Sequence, residues 1–241
     1  MTISLTANQL SYQVAHKQIV DHVSITASQG EVVGLFGPNG AGKTTTFHIL
    51  SGIVQAQQGT IFFGEEDITA LPIAKRAKLG LYYLPQDHSV FRDLTVHENL
   101  MAAAECRKDL SHAQQVSIVD ETLERLKLTH VADSKAKMIS GGERRRAEIA
   151  RILTLSPKMI MLDEPFAGVD PVAVNDIQSI ILDLKQQGVG IVITDHNVRE
   201  TLTFCDRGYV MHQGKMIASG SPETIIHCDK IKSIYLGNTF S

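Results

Sequence analysis

Apolar positions along this chain follow two different rhythms. Residues 3–10 and 17–26 alternate apolar and polar side chains, as in Val20, Val23 and Ile25, which predicts two strands of a half-exposed antiparallel sheet. Four other stretches are apolar without alternation: Val32-Val33-Gly34-Leu35-Phe36, Leu81-Tyr82-Tyr83-Leu84, Met159-Ile160-Met161-Leu162 and Gly190-Ile191-Val192-Ile193-Thr194. Runs of this kind predict strands covered on both faces, as in the parallel sheet of an α/β fold. Residues 59–63 predict another strand, and residues 207–211 and 215–219, joined by Gln213-Gly214, predict a hairpin near the end of the chain.

Helical signals fall between these strands. A short helix is expected from Pro72 to Gly80, with proline at its first turn and glycine past its last. From about Thr95 to Ser140 the strand pattern vanishes. Thr95 with Glu98 and Ser111 with Gln114 form capping boxes, followed by Leu100, Met101 and Ala104, then Val119, Leu123 and Leu126, at helical spacing. Ser140 with Glu143 is a third capping box, expected to open a helix over residues 144–154. Asp170 before Pro171 starts another helix, and Ser221-Pro222-Glu223 caps a last one ahead of a tail containing Tyr235-Leu236-Gly237 and Phe240. The expectation is a single domain, residues 1–241. An α/β core with an antiparallel β-subdomain would occupy residues 1–94 and 157–220. An inserted α-helical subdomain would occupy 95–156, and a C-terminal helix and tail 221–241.

The first chemistry lies where the run 32–36 gives way to Gly37-Pro38-Asn39-Gly40-Ala41-Gly42-Lys43-Thr44-Thr45. A strand, this glycine loop and then a helix form the setting in which G-x-x-x-x-G-K-[ST] cradles phosphates. Glycines let successive N–H groups converge without a Cβ in the way, and the helix dipole points at the same spot. Lys43 would add a cation to the outer phosphates, and the Thr44 hydroxyl would hold Mg²⁺.

Polar groups follow the ends of the buried runs. Asp163 and Glu164 terminate the run 159–162, Gln86 follows Pro85 after the run 81–84, and His196 follows Asp195 after the run 190–194. In an α/β sheet those ends are the ligand edge. Asp163 is the expected partner of Thr44 at Mg²⁺, direct or through its shell, and Gln86 would contact Mg²⁺ or a water. Glu164 would orient or deprotonate an attacking water, and His196 would donate a hydrogen bond to a γ-phosphate. Tyr12, expected in a loop between the first two strands, offers a ring either to the core or to a flat base. Ser140-Gly141-Gly142 is unusual for a capping box, because two glycines weaken a helix start by about 1 kcal/mol each relative to alanine. A serine and two glycines at a helix N-terminus also make a second phosphate-binding surface. Arg144, Arg145 and Arg146 read as a solvated helix face without a catalytic role.

Composition narrows the classes. At 43% hydrophobic and 20% charged, the 241 residues are ordinary for a globular protein. Twenty-three basic against 26 acidic residues, a formal charge of −3, give no broad nucleic-acid footprint. No apolar run approaches the roughly 18 residues of a membrane-spanning helix, and the N-terminus has no signal-peptide pattern. The expected location is therefore cytosolic or peripheral, with any membrane connection through a partner. Cys106, Cys205 and Cys228 are too few and too dispersed for a disulfide framework or a zinc site and are expected as reduced thiols.

Taken together, these motifs resemble, over essentially the whole chain, the nucleotide-binding subunit of an ATP-binding cassette (ABC) transporter. Residues 37–45 match its Walker A loop, Gln86 its Q-loop and residues 161–164 its Walker B strand. Residues 168–170 match the D-loop, His196 the switch histidine and Tyr12 the adenine-stacking position. Ile139-Ser140-Gly141-Gly142-Glu143, about twenty residues before Walker B, matches the signature motif, with Ile139 and Glu143 in place of the commonest leucine and glutamine. A narrower resemblance, to the ATPase subunits of lipopolysaccharide exporters, rests on residues 140–146, 162–171 and 194–201, on the tail, and on Phe91-Arg92. Branched-chain amino-acid importers have similar cassettes. Soluble ABC ATPases acting on DNA or the ribosome generally carry two cassettes or a coiled coil, and a phosphotransferase using the phosphate loop alone leaves the signature unexplained.

The resemblance implies an ABC ATPase fold, ATP and Mg²⁺ as cofactors, and Mg²⁺ held by Thr44, Gln86 and Asp163. It implies a head-to-tail homodimer in which residues 140–142 of one copy close over the ATP of the other. It further implies two transmembrane permease subunits gripped through Phe91 and Arg92, and a position on the cytoplasmic face of the inner membrane. Neither nucleic acid nor lipopolysaccharide would be contacted directly.

Overall fold

The computed structural model describes residues 2–228 and 231. Strands β1 (Ser4–Val14) and β2 (Lys17–Ser28) open the chain as an antiparallel pair, with Leu5 opposite Ala27 and Ala7 opposite Ile25. Alternation faces Leu5 and Ala7 of β1 and Val23, Ile25 and Ala27 of β2 into the core, and irregular register with left-handed Gln9 and His22 brings Leu10 and Val20 to the same side. Both strands run longer than the alternating segments, and Tyr12 lies within β1 opposite Val20 rather than in a loop. Irregular register between Ala7 and Gln13 lets β1 continue past the end of its alternation.

β3 (Val32–Phe36) leads into α1 (Lys43–Ser51), and then β4 (Gln58–Phe63) and β5 (Glu66–Asp67) join the first sheet in the order β2-β1-β4-β5. α2 (Ile73–Leu79) follows and is closed by Gly80 at φ 103°. Arg76 of α2, buried, donates to the carbonyls of Ile49 at 2.8 Å and Leu50 at 2.6 Å, two acceptors in the last turn of α1. The helix behind the phosphate loop is thereby fixed at its far end.

β6 (Leu81–Leu84) precedes the helices α3 (Val96–Ala104), α4 (His112–Arg125) and α5 (Gly141–Leu153). All three capping boxes form as the sequence predicts: Thr95 with Glu98, Ser111 with Gln114, and Ser140 with Glu143. α5 starts three residues earlier than expected, because both glycines after Ser140 are helical. β7 (Met159–Asp163), α6 (Pro171–Gln186), β8 (Gly190–Thr194), α7 (Val198–Leu202), β9 (Arg207–His212), β10 (Lys215–Gly220) and α8 (Pro222–His227) complete the described chain. The tail with Tyr235, Leu236, Gly237 and Phe240 lies outside the described residues.

The second sheet has the order β10-β9-β3-β8-β7-β6. β9, β3, β8 and β7 are mutually parallel, and β10 returns antiparallel as an edge. Every residue of β3, β7 and β8 is buried, which accounts for their unbroken apolar runs. Since β3, β8 and β7 are consecutive neighbours, the three loops that follow them leave the sheet side by side.

The chain forms two compact units. One holds the segments Met1–Tyr83, Lys158–Glu164 and Leu184–Ser241; the other holds Leu84–Pro157 and Pro165–Asp183. The second is helical, its interior built from residues such as Leu100, Val119, Leu123 and Ile149.

Candidate nucleotide site

The loop between β3 and α1 is built for close approach. Gly42, the N-cap of α1, has φ 104°, and a Cβ there would lie 2.5 Å from the carbonyl oxygen of Ile19. The loop is pinned by Gly214, in the β9–β10 turn, whose N–H donates to the Ala41 carbonyl at 3.0 Å. Thr46 ties its hydroxyl to the Gly42 carbonyl at 2.9 Å. Asn39, Gly40 and Thr44 face outward.

Lys43 is only 6% exposed, and its ammonium donates to the Gly37 carbonyl at 2.7 Å and the Pro38 carbonyl at 3.3 Å. Burial holds its pKa below the usual lysine value, against the opposing pull of the Glu164, Asp163 and Asp195 carboxylates. A buried cation resting on two carbonyls, with carboxylates near it, is a group that an anionic ligand can recruit.

Asp163 ends β7 at 2% exposure. Its Oδ1 accepts the Thr194 hydroxyl at 2.6 Å and its Oδ2 the Tyr83 hydroxyl at 3.1 Å. Glu164 follows with φ 44°, a left-handed conformation that costs a non-glycine residue about 1–3 kcal/mol. Thr194 pins it there, because both its carbonyl (3.1 Å) and its hydroxyl (3.0 Å) accept the Glu164 N–H. Glu164 Oε2 lies 4.0 Å from Nδ1 of His196, so the two expected catalytic groups meet. Asp163 ends β7, and Lys43, Glu164 and His196 lie beyond the C-terminal ends of β3, β7 and β8, neighbouring strands of one sheet. Thr194 and Tyr83 were not legible as site residues, since a threonine or tyrosine in a core strand carries no signal of its own.

The donors available to a metal are hard oxygens: the Thr44 hydroxyl, on the exposed side of α1, and the Asp163 carboxylate. Among the described residues no cluster of three His, Cys, Asp or Glu side chains exists. A single carboxylate with a hydroxyl suits Mg²⁺, which keeps waters and takes its remaining ligands from phosphates. When bound, Mg²⁺ would neutralise phosphate charge.

In the helical unit, Ser140 and Gly141 are exposed at the start of α5. The Ser140 hydroxyl donates to Glu143 Oε2 at 2.7 Å, and Nε2 of His130 lies 2.9 Å from Glu143 Oε1. The Ser140 hydroxyl, foremost, and His130 hold the Glu143 carboxyl below the usual range. Gly142 has a packing reason of its own: a Cβ there would collide with that of Ala173 on α6. Gln86 is exposed just beyond β6.

The arginine run departs from expectation. Arg145 and Arg146 are 3% and 8% exposed, not solvated. Arg145 pairs with Glu148 at 2.9 Å and donates to the Pro85 carbonyl at 2.9 Å, while Arg146 pairs with Asp176 at 3.2 Å. Glu148 in turn accepts the Ser89 N–H at 2.7 Å. Arg151 donates to the Ser89 carbonyl and sets its guanidinium 4.9 Å from the centre of the Phe91 ring. The R-x-x-E-x-x-R spacing, one face of a helix, was the available signal for this clamp. Phe91 itself is 52% exposed, its backbone bracketed by the buried Asn99, which accepts from its N–H (2.8 Å) and donates to its carbonyl (3.0 Å). Arg92 beside it is exposed.

Lys43, Glu164 and His196 belong to the same compact unit, and the strand, glycine loop and helix around Lys43 have the form of a phosphate-loop nucleotide-hydrolysing protein. The family model for the ABC transporter matches residues 20–167. This chain belongs to the ABC transporter family, as an ATP-hydrolysing subunit. The lipopolysaccharide export system ATP-binding protein LptB of Haemophilus influenzae is 51% identical to it over 236 residues, 98% of each chain. The protein of the same description from Escherichia coli K12 is 49% identical over 237 residues, again 98% of each. An ATP-binding cassette of an ABC transporter solved in its ADP conformation is similar with a TM-score of 0.87 at 32% identity, covering 98% of this chain and 99% of that one. A nucleotide-free cassette gives a TM-score of 0.85 at 32% identity, with 98% and 100% covered.

Proposed function

We propose that this chain is the motor that powers lipopolysaccharide extraction from the inner membrane, working as a homodimer against two transmembrane subunits. The observation that carries this reading is the identity with the LptB proteins over nearly the full chain, 51% with that of Haemophilus influenzae. Among the described residues no helix is long and apolar enough to cross a membrane, so membrane attachment falls to partners.

In this reading the phosphates of ATP lie on residues 40–45, the adenine rests on Tyr12, and Lys43 leaves the loop carbonyls for the outer phosphates. Thr44 and Asp163 would hold Mg²⁺. Glu164, fixed by Thr194, orients the attacking water and takes its proton, a role worth about 10²–10⁴-fold. His196 donates to the terminal phosphate. Ser140, Gly141 and Gly142 of one copy close over the nucleotide of the other, where the N-terminus of α5 adds an anion site. Phe91, held outward by Asn99 and Arg151, and Arg92 grip the membrane subunits on the cytoplasmic face.

The test is reconstitution. Co-expressed with its two candidate transmembrane subunits in lipopolysaccharide-loaded vesicles, the chain should drive ATP-dependent release of lipopolysaccharide to an acceptor. Phe91→Ala should weaken recovery of those subunits. Release that is independent of ATP, or amino-acid uptake in its place, overturns the assignment.

A further inference from the structure

The carboxylate of Asp195 is the least accounted-for charge at the nucleotide edge. It is 1% exposed at the end of β8. Its Oδ1 accepts the Asn197 N–H at 2.6 Å, a local turn that leads into α7. Its Oδ2 is buried and has no hydrogen-bond partner among the described residues. An asparagine would make the same turn without burying a charge, so the turn does not explain the acid. Burial, foremost, pushes this carboxyl above the usual aspartate range, against the N–H groups of Asn197 and His196, and a buried polar atom without a side-chain or backbone partner calls for an explanation.

Geometry supplies that reason. Oδ1 of Asp195 lies 3.7 Å from Nδ1 of His196, and the other carboxylate near that nitrogen is Glu164 at 4.0 Å. The imidazole is 64% exposed, and these two carboxylates are the acids paired with it among the described residues. Which ring nitrogen carries the proton is decided by what the other one meets.

We propose that Asp195 is a positioning residue for His196: its carboxylate holds the Nδ1–H edge of the ring and so turns Nε2 toward the terminal phosphate. This rests on the reading of His196 as a hydrolytic residue. Asp195 touches neither nucleotide nor water and acts through the histidine alone.

A double-mutant cycle on the full chain tests it, read by single-turnover ATP hydrolysis, ATP affinity and thermal melting. Asp195→Asn keeps the turn and removes the charge, so it should melt no lower than the parent. It should bind ATP with unchanged affinity and hydrolyse it about tenfold more slowly. In a His196→Ala background the same substitution should change the rate by less than about twofold, since the residue through which it acts is gone. Full activity of Asp195→Asn overturns the proposal, as does an equal loss with and without His196, which marks a structural role. If His196→Ala hydrolyses ATP at the parent rate, the reading of His196 fails and this inference with it. If His196→Ala is slow and Asp195→Asn is not, only the inference fails. Should Asp195→Asn not fold, Asp195→Ser, whose hydroxyl can make the same turn, undergoes the same tests.

Discussion

The hydroxyl of Thr194 donates to the carboxylate of Asp163 across 2.6 Å, joining the ends of two adjacent parallel strands. The same threonine accepts the Glu164 N–H through both of its oxygens. One side chain therefore orients the expected metal partner and holds the expected base in its left-handed conformation.

Thr194→Val keeps the shape and removes the hydroxyl. Losing a hydrogen bond to a buried carboxylate costs about 1.5–3 kcal/mol, and part of that should appear as misplacement of Glu164. The expected outcome is a kcat lowered about tenfold with a KM for ATP within about twofold of the parent. Steady-state ATPase assays decide it; parental kcat would show that Thr194 only packs.

Glu143 gives a pH signature. Its folded-state pKa lies below its unfolded value near 4.5, so its stabilising contribution is present above that value and is lost as pH falls through the lower, folded one. Glu143→Gln keeps the capping geometry but does not titrate. The melting-temperature gap between parent and variant should therefore be widest near neutral pH and should close as pH drops below about 4.5. A gap independent of pH would contradict the assignment.

Glu148→Ala should be among the most damaging single changes away from the nucleotide. It leaves Arg145 without its buried carboxylate and the Ser89 N–H without an acceptor. Breaking a buried pair costs about 3–5 kcal/mol. Urea unfolding of the full chain should show a loss in that range, and a loss under about 1 kcal/mol, the worth of an exposed pair, would mean that the stripe is exposed in solution.

Much of this was legible in the sequence, for identifiable reasons. The runs 32–36, 159–162 and 190–194 announced buried parallel strands because burial on both faces removes the alternation that polar exposure imposes. The meeting of Glu164 and His196 could be anticipated because each closely follows a buried run, and such ends lie together in a parallel sheet. Tyr12 was misplaced because irregular register carries β1 past its alternating part. Arg145 and Arg146 looked solvated because local sequence does not show that Glu148 and Asp176 meet them. Thr194 and Asn99 stayed silent, since their roles lie in hydrogen bonds to residues 31 and 8 positions away.

The central claim is that Glu164 activates the water that attacks ATP, and Glu164→Gln tests it most directly. The variant should bind ATP about as tightly as the parent and hydrolyse it about 10²–10⁴-fold more slowly in a single-turnover assay. ATP should then accumulate on a stable dimer. Hydrolysis at near-parental rate, or loss of ATP binding, would contradict the account.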